Sequence, residues 1–239
     1  MKFLNKLFPG NTLYYPGCLT KFVAKDLIEN YKKILEWEGI DFIMLKDKEV
    51  CCGSPIKNAG NKEVFRELAR RNEEIFRAHG IKRIVSNCPG CVATFKKDYA
   101  KILSNLWQVE VFHITEIINK SLTKLKKVNS GTKATYHDPC HLGRRLGIYE
   151  QPRKIIQAAG YDLVEMELNK ADSFCCGGGG GVSSNNKELA RQIAQDRIEQ
   201  AVQTEAQTLI TACPMCSLHL KNNQGEKIKV IDISQLFNV

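Results

Sequence analysis

The ten cysteines of this 239-residue chain form one five-thiol pattern written twice. The first copy is Cys18, the adjacent pair Cys51 and Cys52, and Cys88-Pro89-Gly90-Cys91. The second is Cys140, the pair Cys175 and Cys176, and Cys213-Pro214-Met215-Cys216. Intervals of 32 and 34 residues precede the double cysteine, and 35 and 36 follow it. No cysteine is left over. Gathered thiols are ligands for soft metals and for iron–sulfur clusters, so each copy predicts one metal or cluster site. Structural zinc takes four tetrahedral ligands, commonly from two CxxC pairs. Here each copy has one CxxC, a vicinal pair and a single cysteine. Adjacent side chains tend to diverge, which suits different irons of a cluster better than one ion. Five thiols against the four of a cubane cluster leave either a free thiol or a cluster of unusual shape. Zinc in one half stays open as the alternative.

The match runs beyond the cysteines. Tyr14-Tyr15-Pro16-Gly17-Cys18 answers Tyr136-His137-Asp138-Pro139-Cys140, and Cys51-Cys52-Gly53 answers Cys175-Cys176-Gly177. Residues 111–118 resemble residues 230–237. Self-similarity at a fixed period marks duplicated structural units. The chain is expected to hold two domains, residues 1–126 and 127–239, joined through the lysine-rich stretch 122–132.

The elements that position the cysteines follow from the apolar runs. In the first half, Thr12–Tyr15, Asp41–Leu45 and Arg83–Ser86 read as strands, each followed by cysteines. Lys21–Trp37 and Lys62–His79 show helical apolar spacing, and Gly80 is placed to stop the second helix. In the second half, Lys133–Tyr136, Leu163–Met166 and Thr208–Thr211 are the strands, and Gln151–Ala159 and Lys187–Thr204 the helices. Alternating strands and helices predict an α/β fold: two duplicated, pseudo-symmetric domains, each with a parallel sheet covered by helices. Sites in such sheets form at the carboxyl ends of strands, so three distant cysteine loops per half can converge there. Gly53 and the run Gly177–Gly181 allow close backbone approach to a large ligand. A phosphate cradle is the weaker reading of that run, because no Lys-Ser/Thr follows it.

The net charge is +9, spread along the helices without a dense basic run. That pattern suits an anionic small molecule or an acidic redox partner, and no nucleic-acid partner is expected. No stretch approaches the ~20 apolar residues of a membrane span. Residues 1–8 lack the long apolar run of an export signal. The expected location is cytoplasmic, with thiols reduced and available as ligands rather than paired in disulfides.

These motifs resemble the cysteine-rich CCG domain in tandem, as found in the heterodisulfide reductases and their relatives. The resemblance spans nearly the whole chain. It implies two noncubane 4Fe-4S clusters, one on Cys18, Cys51, Cys52, Cys88 and Cys91, the other on Cys140, Cys175, Cys176, Cys213 and Cys216. It also implies disulfide cleavage between the clusters, yielding two thiols. His141, beside Cys140, is then the candidate proton donor to a leaving thiolate. Arg144 and Arg145 are candidates for binding an anionic group of the substrate, a small-molecule disulfide or thiol. His79, His113 and His219 read as structural. The chain carries no ferredoxin motif, no flavin or nicotinamide fingerprint and no haem attachment site. A ferredoxin-type iron–sulfur subunit is therefore the expected partner, with a flavoprotein the second candidate. The leading expectation is the catalytic iron–sulfur subunit of a disulfide/thiol oxidoreductase. The alternatives are an electron-transfer subunit of a 2-hydroxy-acid or succinate/fumarate oxidoreductase, and a noncatalytic zinc or cluster scaffold.

Overall fold

Runs that are apolar throughout suit strands covered on both faces, and in each half they pair in parallel. The computed structural model describes residues 11–118 and 131–237, with Leu122, Leu125 and Lys127 between them. The N-terminal segment 1–8 and most of the expected linker, including residue 126 at the expected domain boundary, lie outside the described residues. Strands β1 (Asn11–Tyr14), β2 (Ile81–Ser86) and β3 (Glu110–His113) form one sheet in that order. Strands β4 (Lys133–His137), β5 (Asp162–Leu163), β6 (Thr208–Thr211) and β7 (Lys229–Asp232) form the other, in the order β5-β4-β6-β7. All pairs are parallel. The fold is thus the expected duplicated α/β arrangement.

The registers carry the repeat. Ser86 lies opposite His113, and Thr211 opposite Asp232. The edge strand β5 has a rudimentary counterpart in the first half, where Leu13 and Ile43 form a single bridge. There the Tyr14 N–H donates to the Ile43 carbonyl at 3.0 Å, and the Ile43 N–H to the Thr12 carbonyl at 2.9 Å. The expected strand Asp41–Leu45 thus reduces to one bridge, and Leu163–Met166 to the two residues of β5. An edge segment has one hydrogen-bonding neighbour, so the chain leaves the sheet early to carry the double cysteine. Strands β3 and β7 show in the sequence only as a matching pair of segments. Each runs into a capping box, His113 with Glu116 and Asp232 with Gln235, whose side chains satisfy backbone N–H groups of the next turn.

In the first half, the helices are α1 (Gly17–Phe22), α2 (Asp26–Trp37), α3 (Ser54–Asn58), α4 (Lys62–Ala78), α5 (Pro89–Ala93), α6 (Ala100–Leu103) and α7 (Ile114–Ile117). The second half has α8 (Glu150–Ala158), α9 (Val182–Asn185), α10 (Lys187–Val202) and α11 (Pro214–Lys221). The helix expected over Lys21–Trp37 is two helices. Phe22 and Val23, whose spacing in the sequence fits the apolar side of a single helix, are 67% and 58% exposed at the break. Asn61 and Asn186 cap α4 and α10 in the same way, accepting from Val64 N–H at 3.1 Å and Leu189 N–H at 3.0 Å.

Side chains alternate between two environments along each central strand, as the strand period requires. Tyr14, Val85, Tyr136, Ile210 and Ile231 enter a core shared by both halves. Leu13, Ile84 and Val111 face a separate core under α4, with Phe65, Phe76 and Phe95. Leu209 and Val230 face its counterpart, with Ala194, Ile198 and Leu220. Among the described residues, no helix is long and apolar enough to cross a membrane.

Candidate metal centres

Every cysteine sits where a strand or edge segment hands over to a loop or helix. Cys18 lies in the first turn of α1, just beyond β1. Cys88 and Cys213 are the N-cap residues of α5 and α11, with proline at the first helical position. Cys91 and Cys216 follow within the first turn. Cys51 and Cys52 come from the edge segment, as do Cys175 and Cys176. Gly53 and Gly177, at φ +83° and +81°, turn the chain sharply after each pair. Such left-handed backbone is open to glycine at little cost.

The loops converge. In the first half, each thiol shifts the next in an unbroken order from Cys18 to Cys51, Cys52, Cys91 and Cys88. In the second half the chain has the same order: Cys140, Cys175, Cys176, Cys216 and Cys213. The charge distribution also matches. Cys51 is held down at about 2 by donation from the thiols of Cys18 and Cys52, helped by the Gly53 N–H. Cys175 is likewise held far below its usual range, chiefly by the Cys140 thiol. Cys18 and Cys140 are pushed far up by the same two bonds and by burial. Cys88 comes down to about 7 through the Cys91 thiol, and Cys176 rises to about 12 through its bond to Cys175. Metal binding to such a set displaces the remaining thiol protons.

The backbone leaves room and donors for a large group. The Gly53 and Gly177 N–H groups each lie 3.4 Å from the sulfur two residues earlier. A side chain at Gly17 would bring its Cβ to 3.1 Å from Cys91 Sγ. Beside the second set, Arg197 is fully buried. It donates to His137 Nδ1 (3.1 Å), the Leu168 carbonyl (2.9 Å), Gln200 Oε1 (2.6 Å) and Ser173 Oγ (3.1 Å), all neutral groups. A buried cation without a carboxylate partner is costly. Burial lowers the proton affinity of Arg197, and the charge of Asp138, then the neighbouring Cys216 and Cys176 sulfurs, offset part of that loss. A negatively charged metal–sulfur group fits both donor sets.

His137 stands against the second set, a ring nitrogen lying within 4.8 Å of Cys176 and Cys216 sulfurs. Burial, then the charge of Arg197, lowers it to about 3, so the ring is neutral. Because Arg197 donates to Nδ1, the single ring proton resides on Nε2. Nε2 then has no lone pair for a metal, which disfavours a zinc site completed by this histidine. Its N–H remains a donor, and Nε2 has no hydrogen-bond partner among the described residues.

His141 Nδ1 lies 3.4 Å from Cys140 Sγ. Burial, then Arg145, lowers its proton affinity. Arg144 Nη1 donates to the carbonyls of Ser173 (2.8 Å) and Ala171 (3.2 Å), fastening the loop that leads to Cys175. Arg145 Nη2 reaches Asp98 of the first half at 3.1 Å, and Lys57 Nζ meets the same carboxylate at 2.7 Å. His79, His113 and His219 bond to the carbonyls of Ile75, Asn87 and Ala190. The sequence does not single out Lys57, Asp98 or Arg197. Nothing in a lysine, aspartate or arginine on a helix marks it as facing a site a hundred residues away. His137 shows in the sequence only as part of the repeat, where its counterpart Tyr15 differs in kind.

Residues 12–96 and 134–221 match the cysteine-rich domain family CCG, and the chain belongs to that family in two copies. One subunit of the dihydromethanophenazine:CoB–CoM heterodisulfide reductase of Methanosarcina acetivorans is 36% identical over 235 residues, 95% of this chain and 57% of that protein. One subunit of the fumarate reductase (CoM/CoB) of Methanothermobacter marburgensis is 32% identical, over 97% of this chain and 47% of that one. The EtfAB:quinone oxidoreductase of Syntrophomonas wolfei is 32% identical, over 94% of this chain and 33% of that one. The chain thus spans only a part of these curated relatives.

Proposed function

We propose that this chain is the iron–sulfur unit of a disulfide/thiol oxidoreductase, with a noncubane 4Fe-4S cluster on the five cysteines of each half. One observation carries the proposal: the same contiguous order of five thiols occurs twice, at the carboxyl ends of two pseudo-symmetric sheets. When bound, the clusters supply one-electron steps to a disulfide, which needs two electrons and two protons to become two thiols.

The residues around the sulfurs have separate tasks. His141 holds a proton on its ring beside Cys140 and passes it to a departing thiolate. Its lowered affinity makes the protonated ring a stronger acid, and delivery falls as pH rises through that value. Arg145 and Lys57 flank Asp98 where the halves meet, and both side chains stay about one-third exposed. Their remaining N–H groups serve an anionic substrate. Arg144 positions the Cys175 loop, and its free N–H groups face the same substrate role. Electrons come from a partner, a ferredoxin-type subunit or a flavoprotein. The relatives' own names, with subunits of reductases among them, support a place in such an assembly.

The test is anaerobic turnover of the iron-loaded chain. A small artificial reductant such as a reduced viologen is expected to drive reduction of an anionic small-molecule disulfide, whereas a reduced carrier protein alone is not. The quinone and fumarate oxidoreductases among the relatives favour a second reading, electron relay to a separate flavoprotein. Iron-loaded chain that oxidises the viologen with a quinone but leaves every disulfide intact would support that second reading instead.

A further inference from the structure

The two cysteine sites share their sulfurs' order but differ directly behind them. Tyr14 and Tyr136 hold equivalent register positions against Val85 and Ile210. The next residues, Tyr15 and His137, are therefore counterparts. Both are buried. Tyr15 stands beside Cys91 and Cys52, and His137 against Cys176 and Cys216. The Tyr15 hydroxyl is committed elsewhere, donating to the Val50 carbonyl at 2.8 Å. The Nε2–H of His137 is uncommitted. A second pair lies on the helices behind. Asn72 and Arg197 each stand eleven residues beyond their asparagine caps, Asn61 and Asn186, and both are fully buried. Asn72 gives neutral amide hydrogens to the Cys51 carbonyl (3.0 Å), the Leu68 carbonyl (3.1 Å) and the Tyr99 hydroxyl (2.9 Å). Arg197 brings a full positive charge.

The surrounding carboxylates oppose that charge only at a distance, because both are hydrogen-bonded to a second cation. Asp138 is held through both oxygens by Arg153 at 2.8 and 2.9 Å. Glu165, also on Arg153, is 35% exposed and screened by water. Each added electron makes a metal–sulfur group more negative. A fixed cation in a poorly polarisable interior stabilises that added charge, and so does an N–H aimed at a ligand sulfur. A glycine N–H meets a ligand sulfur in both sites; among the described residues, a fully buried arginine and an uncommitted imidazole N–H stand behind the second site and not the first.

We propose that the second site is poised at the higher reduction potential, with Arg197 and the Nε2–H of His137 setting the gap, so that electrons entering the chain settle first at Cys140, Cys175, Cys176, Cys213 and Cys216. This rests on the reading that both halves hold clusters. The gap orders the sites: the first is the stronger reductant and the second the stronger acceptor, so a symmetric pair of folds gains a direction.

Metal analysis of the intact chain comes first, and absence of iron would overturn both the cluster reading and this inference. Cys52→Ser and Cys176→Ser chains, each keeping one site, are then titrated anaerobically against redox mediators and read by low-temperature magnetic resonance. The Cys52→Ser chain is expected to show the higher midpoint. In that background Arg197→Gln should shift the one-electron equilibrium at least tenfold toward the oxidised form, a fall of about 59 mV. His137→Phe should shift it the same way, and Arg197→Lys much less. Iron present with equal midpoints, or a higher midpoint at the first site, would overturn the inference alone. Should a variant fail to assemble, the intact chain decides, since two resolved reduction steps are expected and one step for both sites would overturn it.

Discussion

The Tyr31 hydroxyl donates to Asp232 Oδ1 at 2.6 Å, joining the two halves through a pair with no exposed surface. Asp232 also accepts from the Ser234 N–H at 2.9 Å, while its Oδ2 has no partner among the described residues. Burial raises its proton affinity. Removing the hydroxyl leaves a buried acceptor short of a donor, a loss of about 1–3 kcal/mol. Tyr31→Phe is expected to lower stability by that amount in denaturant unfolding, with both halves still unfolding in one transition because they share a core.

Acid should weaken the fold through His113. Burial holds it to about 3, against an ordinary value of 6.5. The unfolded chain therefore takes up the proton first. Its contribution is complete above about pH 6.5 and is lost as pH falls toward 3, at about 1.4 kcal/mol per pH unit. His113→Asn keeps an N-cap acceptor and removes the titration. Urea midpoints from pH 7.5 to 5.5 should fall less steeply in that variant, and an unchanged slope would assign the acid effect elsewhere.

The glycine run after the second double cysteine makes unequal demands. A Cβ at Gly177 would lie 2.7 Å from the Ala190 carbonyl, on a backbone at φ +81°. At Gly179 a Cβ would meet nothing within 4 Å. Gly177→Ala adds the ~1–2 kcal/mol of a left-handed L-residue to a backbone clash. It is expected to lose about half the iron, whereas Gly179→Ala keeps it all. Iron analysis of the two purified variants distinguishes them.

The duplication, the parallel sheets and the convergence of five thiols per half were legible because cysteine spacing and apolar runs are local signals. The edge segments were not. Asp41–Leu45 and Leu163–Met166 have strand composition, but only a tertiary neighbour decides how far an edge pairs. The break at Val23–Lys25 was hidden for the same reason, since Phe22 and Val23 complete a helical pattern whose burial they do not share. Arg197 and Lys57 gain meaning only from what surrounds them in space.

The roles proposed for His141 and Arg145 can be told apart by kinetics. His141→Gln is expected to keep its iron and lower disulfide turnover by roughly 10²-fold, the usual effect of losing a general acid. Arg145→Gln should chiefly raise KM for an anionic disulfide and change kcat little. Steady-state kinetics at full iron loading reads both. An unchanged rate in His141→Gln would return that residue to a structural role beside Cys140.

The most direct measurement is iron and sulfide content after anaerobic purification, for the intact chain and for Cys52→Ser. Two clusters on two five-thiol sets predict about eight irons per chain, falling to about half in Cys52→Ser with the second site's magnetic-resonance signal unchanged. One zinc per half in the intact chain, or an iron content that Cys52→Ser leaves untouched, would contradict it.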